Sequence, residues 1–171
     1  DSLLTDSFGL LAPLASGPAM IQALASAAGG SGMALGQQLD MLNPSDRNLD
    51  EVKNIHLLKT GQLMGAACSL GALSGGVLKP TELQLIKKFG QTIGLAFQIN
   101  DDLLDSKKRG KTANKDQSLG KRTYLSILGK KRGSAMVVEL TNEALSYLMK
   151  LKPSYNLKQL ENFAIQLFYF S

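Results

Sequence analysis

The run Phe97-Gln98-Ile99-Asn100-Asp101-Asp102-Leu103-Leu104-Asp105 constrains this chain more than any other, because it sets three carboxylates close together inside an otherwise apolar stretch. Aspartate is a poor helix former, and like charges three or four positions apart repel one another, so a helix carrying this cluster needs a cation to hold. On a helix, positions four apart stack one above the other, which puts Asp101 and Asp105 on one stripe and Asp102 to its side. An exposed acidic helix end is the alternative. It fits poorly, since these acids come at the C-terminal end of the apolar run, where the helix dipole disfavours negative charge. Oxygen ligands on one stripe suit a hard divalent cation. Mg2+ in particular is held by one or two carboxylates together with the phosphate oxygens of a substrate. Taken alone, D-D-x-x-D is a moderate signal, because acidic quintets also occur on solvated helices.

The rest of the chain reads as helices. The 171 residues suffice for one compact all-α domain with a real core. Leu3, Leu4, Phe8 and Leu11 recur at helical spacing, and Pro13 with Ser16-Gly17-Pro18 ends that element. From Ala19 to Met41 the chain is rich in small residues, and Gly29, Gly30, Gly32 and Gly36 there imply helices packed very closely or backbone approaching a ligand. After a turn at Asn43-Pro44-Ser45-Asp46, a helix is expected from about Asn48 to Leu73, with Asp50 and Glu51 in or near its first turn. Gly75-Gly76 breaks it. Lys79-Pro80-Thr81-Glu82 starts the next helix, with Leu83, Ile86, Phe89, Ile93 and Phe97 on its buried side and the aspartates at its far end. Residues 106–120 are polar, basic and non-periodic, hence a loop. Tyr124 to Leu128, Ala135 to Leu151 and Leu157 to Phe168 are three further helices, the last preceded by a turn at Lys152-Pro153-Ser154. No strand alternation of useful length, repeat or linker is present.

Several residue types exclude other functions. His56 is the only histidine, so a multi-histidine metal site is out, and a surface or capping role is expected for it. Lys59 among Leu57, Leu58 and Leu63 is by itself a snorkelling lysine, raised above that only by its company. The single Cys68 cannot form an internal disulfide and reads as a small core residue, which points to a reducing, cytoplasmic setting. Apolar runs such as Leu63 to Leu73 are shorter than the ~20 residues of a membrane span. The first residues carry no signal-peptide pattern. The net charge of +5 gathers in Lys107-Lys108-Arg109-Gly110-Lys111, Lys121-Arg122 and Lys130-Lys131-Arg132. The last of these is read as a solvated face. The clusters nearest the aspartates have the cations that a polyphosphate ligand requires, and without an aromatic platform no nucleic-acid partner is expected.

Four separate stretches resemble the trans-isoprenyl diphosphate synthases, the bacterial farnesyl diphosphate synthase type above all. Phe97-Gln98 with Asp101-Asp102-x-x-Asp105 resembles the second aspartate-rich motif of that family, and Lys59-Thr60-Gly61 its K-T-G segment. Gly36-Gln37-x-x-Asp40 resembles G-Q-x-x-D, and Gly110-Lys111 through Asp116 to Gly120-Lys121-x-Thr123-Tyr124 the loop after the aspartates. They stand in the family's order and at nearly its spacing across almost the whole chain. The resemblance implies a helical bundle around a central cavity and a homodimer. It also implies a reaction in which an allylic diphosphate, held through Mg2+, ionises to a carbocation that alkylates isopentenyl diphosphate and then loses a proton. Asp101 and Asp105 would be Mg2+ ligands with Asp102 adjacent. Lys59, Lys111 and Lys121 would contact diphosphate oxygens, as point charges suited to a flexible polyphosphate. Thr60 and Gln98 would line the allylic pocket, with Thr60 near the departing proton, while Asp40 and Asp116 would orient lysines or hold the loop.

The departures are equally specific. The family's first aspartate-rich motif, the arginine pair after it and the early basic residues have no counterpart here. Asp1-Ser2-Leu3-Leu4 resembles the segment after that motif, so the chain looks like the C-terminal portion of a synthase lacking the N-terminal helices. Leu35 stands where the family has glycine before Gly36, and Ser106 to Arg109 is shorter than usual. Two other readings stay open. A terpene cyclase of the same fold is disfavoured by the K-T-G segment and the lysine-bearing loop. A synthase-like helical subunit that has lost the reaction is disfavoured by the retained Asp101, Asp105, Lys59, Lys111 and Lys121.

Overall fold

A computed structural model describes residues 2–42, 46–77, 79–106, 122–151 and 154–169. The described residues are helical, in the order α1 (Ser2–Leu11), α2 (Gly17–Ala28), α3 (Met33–Leu42), α4 (Leu49–His56), a π-helical turn (Leu57–Gly61), α5 (Gln62–Ser74), α6 (Pro80–Asp105), α7 (Tyr124–Met149) and α8 (Lys158–Tyr169). The expected all-α bundle is what forms, and its centre is α6, packed along its length against α7 on one side and α5 on the other.

Local chemistry sets where the elements begin. At α4 the Asn48 side chain accepts from the Glu51 backbone N–H at 3.0 Å, and the Glu51 carboxylate accepts from the Asn48 N–H at 2.7 Å. Each side chain satisfies a donor the helix cannot, which is what a capping box does. Thr123 and Ser126 form the same reciprocal pair at the start of α7. Pro80 opens α6 in its first turn, where its missing N–H costs nothing. The turns expected at Asn43-Pro44-Ser45-Asp46 and Lys152-Pro153-Ser154 lie largely outside the described residues. The helix expected from Asn48 to Leu73 is continuous from Leu49 to Ser74. One feature of it had no sequence signal: at the π turn the Gln62 N–H bonds back to the carbonyl of Leu57, five residues earlier.

Two apolar clusters hold the bundle. Val52, Leu95, Ile99, Leu103, Tyr124 and Val137 join α4, α6 and α7, and Phe89, Ile93, Ala144, Leu148 and Ala164 join α6, α7 and α8. Side chains of this size contribute about 1.5–3 kcal/mol each when fully buried. Ile86, Phe89 and Ile93 lie inside as their spacing predicts, but Phe97 is 40% exposed. It lies one turn on from Ile93 and one turn before Asp101, where the buried face passes into the exposed stripe, and across the helix from Ile99. His56 also differs from expectation. It is 8% exposed, following Val52 by one helical turn into the core and lying 5.3 Å from the Tyr124 ring.

Between α5 and α6 the backbones themselves touch. A Cβ placed on Gly90 would lie 2.6 Å from the Met64 carbonyl oxygen and 2.8 Å from the Gly65 Cα, and one on Gly94 would lie 2.8 Å from the Gly61 Cα. Removing side chains shortens the distance at which two helices can pack. In α7 the two helical segments expected on either side of residue 129 are present and meet without a loop, at a break where Gly129 takes φ +76°. Lys130, Lys131 and Arg132 follow it on the solvated face. Among the described residues no helix is long and apolar enough to cross a membrane.

Candidate active site

The polar residues named from the sequence collect at one end of the α5–α6 pair. Lys59 and Thr60 sit in the π turn, an insertion that proteins often keep where backbone must be re-aimed. Lys59 has the company that distinguishes it from a snorkelling lysine. Its Nζ lies 2.8 Å from the Asp40 Oδ2, with side-chain exposures of 30% and 8%. Coulomb attraction at that separation is stronger than in bulk water because the pair is half withdrawn from solvent. The approach is possible because α3 lies directly on the π turn at Gly36, where an added Cβ would come within 2.3 Å of the Lys59 nitrogen. The spacing from Gly36 to Asp40 therefore has a physical reason: one residue lets α3 come close, and the other meets the ammonium one turn later. Buried Arg47 donates to the Leu39 carbonyl and ties the end of α3 back to the chain entering α4.

Thr60 Oγ1 donates to Gln98 Oε1 at 2.9 Å, joining the π turn to α6. From Gln98 the same helix face continues to Asp101 and Asp105. Both are exposed, whereas Asp102 is half-buried with its Oδ2 shielded from solvent. Thus Lys59, Thr60, Gln98, Asp101 and Asp105 follow one polar track from α3 to the end of α6. Lys111, Lys121 and Asp116 lie outside the described residues.

Among the described residues no group of three or more His, Cys, Asp or Glu is gathered closely enough to hold a metal by itself. The donor set nevertheless fits Mg2+. Asp101 and Asp105 present hard oxygen donors one turn apart on an open face, and Mg2+ commonly takes one or two carboxylates and fills its octahedron with phosphate oxygens and water. A cation requiring a complete protein cage would not be served here.

Sequence reasoning missed the inner side of the site. His56 and Tyr124 stack with their planes at 49°, and Tyr124 is 1% exposed with a buried hydroxyl that finds no hydrogen-bond partner among the described residues. Burial first, then the negative charges of Asp50 and Asp102, push its phenol well above the usual tyrosine range. The helical spacing from Val52 to His56 was the signal that could have placed the histidine inside.

Comparison with known proteins covers nearly all of the chain. Residues 1–157 match the family described as polyprenyl synthetase. A chloroplastic geranylgeranyl pyrophosphate synthase of Arabidopsis thaliana is 40% identical over 151 residues, 84% of this chain and 42% of the relative. The farnesyl diphosphate synthase of Escherichia coli is 41% identical over 138 residues, 77% of this chain and 46% of the relative. The chain thus spans under half the length of these curated relatives. A crystal structure of the Helicobacter pylori geranyltransferase complexed with magnesium and isoprenyl diphosphate superposes with a TM-score of 0.81 at 29% identity, covering 98% of this chain and 58% of that one.

Proposed function

The chain belongs to the polyprenyl synthetase family, and from that premise we propose that it forms part of a Mg2+-dependent prenyltransferase condensing an allylic diphosphate with isopentenyl diphosphate. The observation that carries this reading is the track from the Lys59–Asp40 pair through the Thr60–Gln98 hydrogen bond to Asp101 and Asp105. Magnesium, when bound, would stabilise the negative charge that develops on the departing diphosphate. Asp101 and Asp105 would hold it, with Asp102 beside them.

The chain's own residues would do the remaining work. Lys59, kept in place by Asp40, would supply positive charge toward the diphosphate without having to be ordered during the reaction. Lys111 and Lys121 would add two further point charges from the loop. Thr60 and Gln98, locked to each other, would form a polar wall of the allylic pocket, with the threonine oxygen near the proton that leaves. Leu95, Ala96 and Ile99 in the core behind Gln98 would keep water from that side of a carbocation. The leucines of α1 support a dimer, since Leu3 and Leu10 remain 83% and 74% exposed, and the free Cys68 accords with a reducing, cytoplasmic setting.

The test is chain elongation by the whole natural protein, supplied with Mg2+, a short allylic diphosphate and isotopically labelled isopentenyl diphosphate. Label in a longer prenyl diphosphate, lost on chelation of Mg2+ and in Asp101→Ala, is the expected result. Conversion of the allylic diphosphate to a cyclic hydrocarbon with no incorporation of label contradicts it.

A further inference from the structure

Tyr124 occupies the point where α4, α6 and α7 meet. It packs in one cluster with Val52 of α4, Ile99 and Leu103 of α6 and Val137 of α7. A ring this deeply placed could be phenylalanine at no loss of packing, yet it carries a hydroxyl that is buried and has no partner among the described residues. A buried O–H left unbonded has given up its hydration and received nothing in return. What lies near it is charge. Asp102 stands on the flank of α6 between the inward Ile99 and Leu103 and the outward Asp101 and Asp105, and its Oδ2 is shielded from solvent. His56 covers the ring at 5.3 Å and fixes its position from the α4 side.

The helix geometry therefore divides the three aspartates. Asp101 and Asp105 face out, and Asp102 sits between them and the core side of α6 with its Oδ2 buried. Resting on the functional reading above, we propose that Tyr124 is a positioning residue: its hydroxyl donates to the Asp102 carboxylate when Asp101 and Asp105 engage Mg2+ and a diphosphate. That bond would join the last turn of α6 to the first residue of α7. It would be charge-assisted and made in a water-poor interior, hence stronger than a neutral one. Asp102 then acts through its place in the motif and not as a ligand. The donor that is unsatisfied in the free chain is the energy difference favouring the bound arrangement, since binding relieves it.

The experiment uses the chain labelled with tyrosine enriched in 13C at Cζ, the Tyr124 signal being identified by Tyr124→Phe. Mg2+ with inorganic diphosphate is titrated into wild type and Asp102→Asn. The Tyr124 resonance should move on binding in wild type and stay in place in Asp102→Asn. Tyr124→Phe should weaken Mg2+-dependent diphosphate binding roughly tenfold, while the free chain unfolds at no lower a temperature, and adding it to Asp102→Asn should weaken binding no further. Binding that leaves the Tyr124 resonance unmoved, or additive losses in the double variant, overturns the positioning role while leaving the functional reading intact. No Mg2+-dependent binding by wild type overturns both.

Discussion

Two levels of the α5–α6 pair differ in what joins the helices. At the far end the helices touch through absent side chains: Gly65 and Gly90 bring backbone against backbone, with Cys68 filling the remaining space. At the near end Gly61 and Gly94 still meet, but side chains join the helices as well, through Thr60 and Gln98, and the π turn carries Lys59 to Asp40. The first level admits no added side chain between its helices, and the second presents polar groups that continue to the exposed Asp101 and Asp105. Stability and function are therefore expected to separate along this pair. A change at the glycine end should unfold the chain, and one at the polar end should spare the fold and remove binding.

The largest effect should come from Gly90→Val. Its Cβ would meet the Met64 carbonyl and the Gly65 Cα, both backbone, so the helices must part at a cost of about 3 kcal/mol or more, read from urea unfolding. Gly30→Ala, with nothing within 4 Å of its added Cβ, should stay within about 0.5 kcal/mol of wild type and serves as the contrast. Next is Lys59→Met, which takes the ammonium away from the largely buried Asp40. Because the lysine is partly exposed, the loss should be about 1–2 kcal/mol of stability, with a roughly tenfold loss of diphosphate affinity by calorimetry. Thr60→Val should cost about 1 kcal/mol, the value of one hydrogen bond, and equal losses in Thr60→Val and Gly90→Val would erase the distinction between the ends.

The smallest effect on stability concerns Cys68. Burial pushes its thiol up from 9.0 to about 11, so the contribution is fully present below the unfolded value and is lost as pH rises through the folded one. At pH 8 the folded chain should be alkylated about a hundredfold more slowly than the urea-unfolded chain, as two units of thiolate suppression require. A rate near that of the unfolded chain would mean that the glycine end opens readily.

How far the sequence could be read follows the same division. Helix starts at Asn48 and Pro80 were legible because capping and proline act within a few residues. The core side of α6 was legible up to Ile93, since a period of 3.6 needs only one buried direction. It failed at Phe97, where the apolar residue turns toward the polar track, and at His56, where a polar type occupies a core position. The π turn left no mark, because no residue type requires one. The aspartates stood out by their crowding and helical spacing, whereas Lys59 and Gln98 were assigned through a resemblance of motifs. The ion pair that holds Lys59 joins residues on different helices, and local pattern does not determine such a contact. Asp40 was assigned to orienting a lysine, and its carboxylate lies 2.8 Å from the Lys59 ammonium.

The measurement that bears most directly on this account is calorimetric titration of a non-hydrolysable allylic diphosphate analogue, with and without Mg2+, into wild type, Asp101→Ala and Lys59→Met. Binding should require Mg2+ and fall at least tenfold in both variants, while circular dichroism finds each of them folded. Binding that is indifferent to Mg2+, or equally strong in Asp101→Ala, would contradict the assignment of the polar end of α5 and α6 as a metal–diphosphate site.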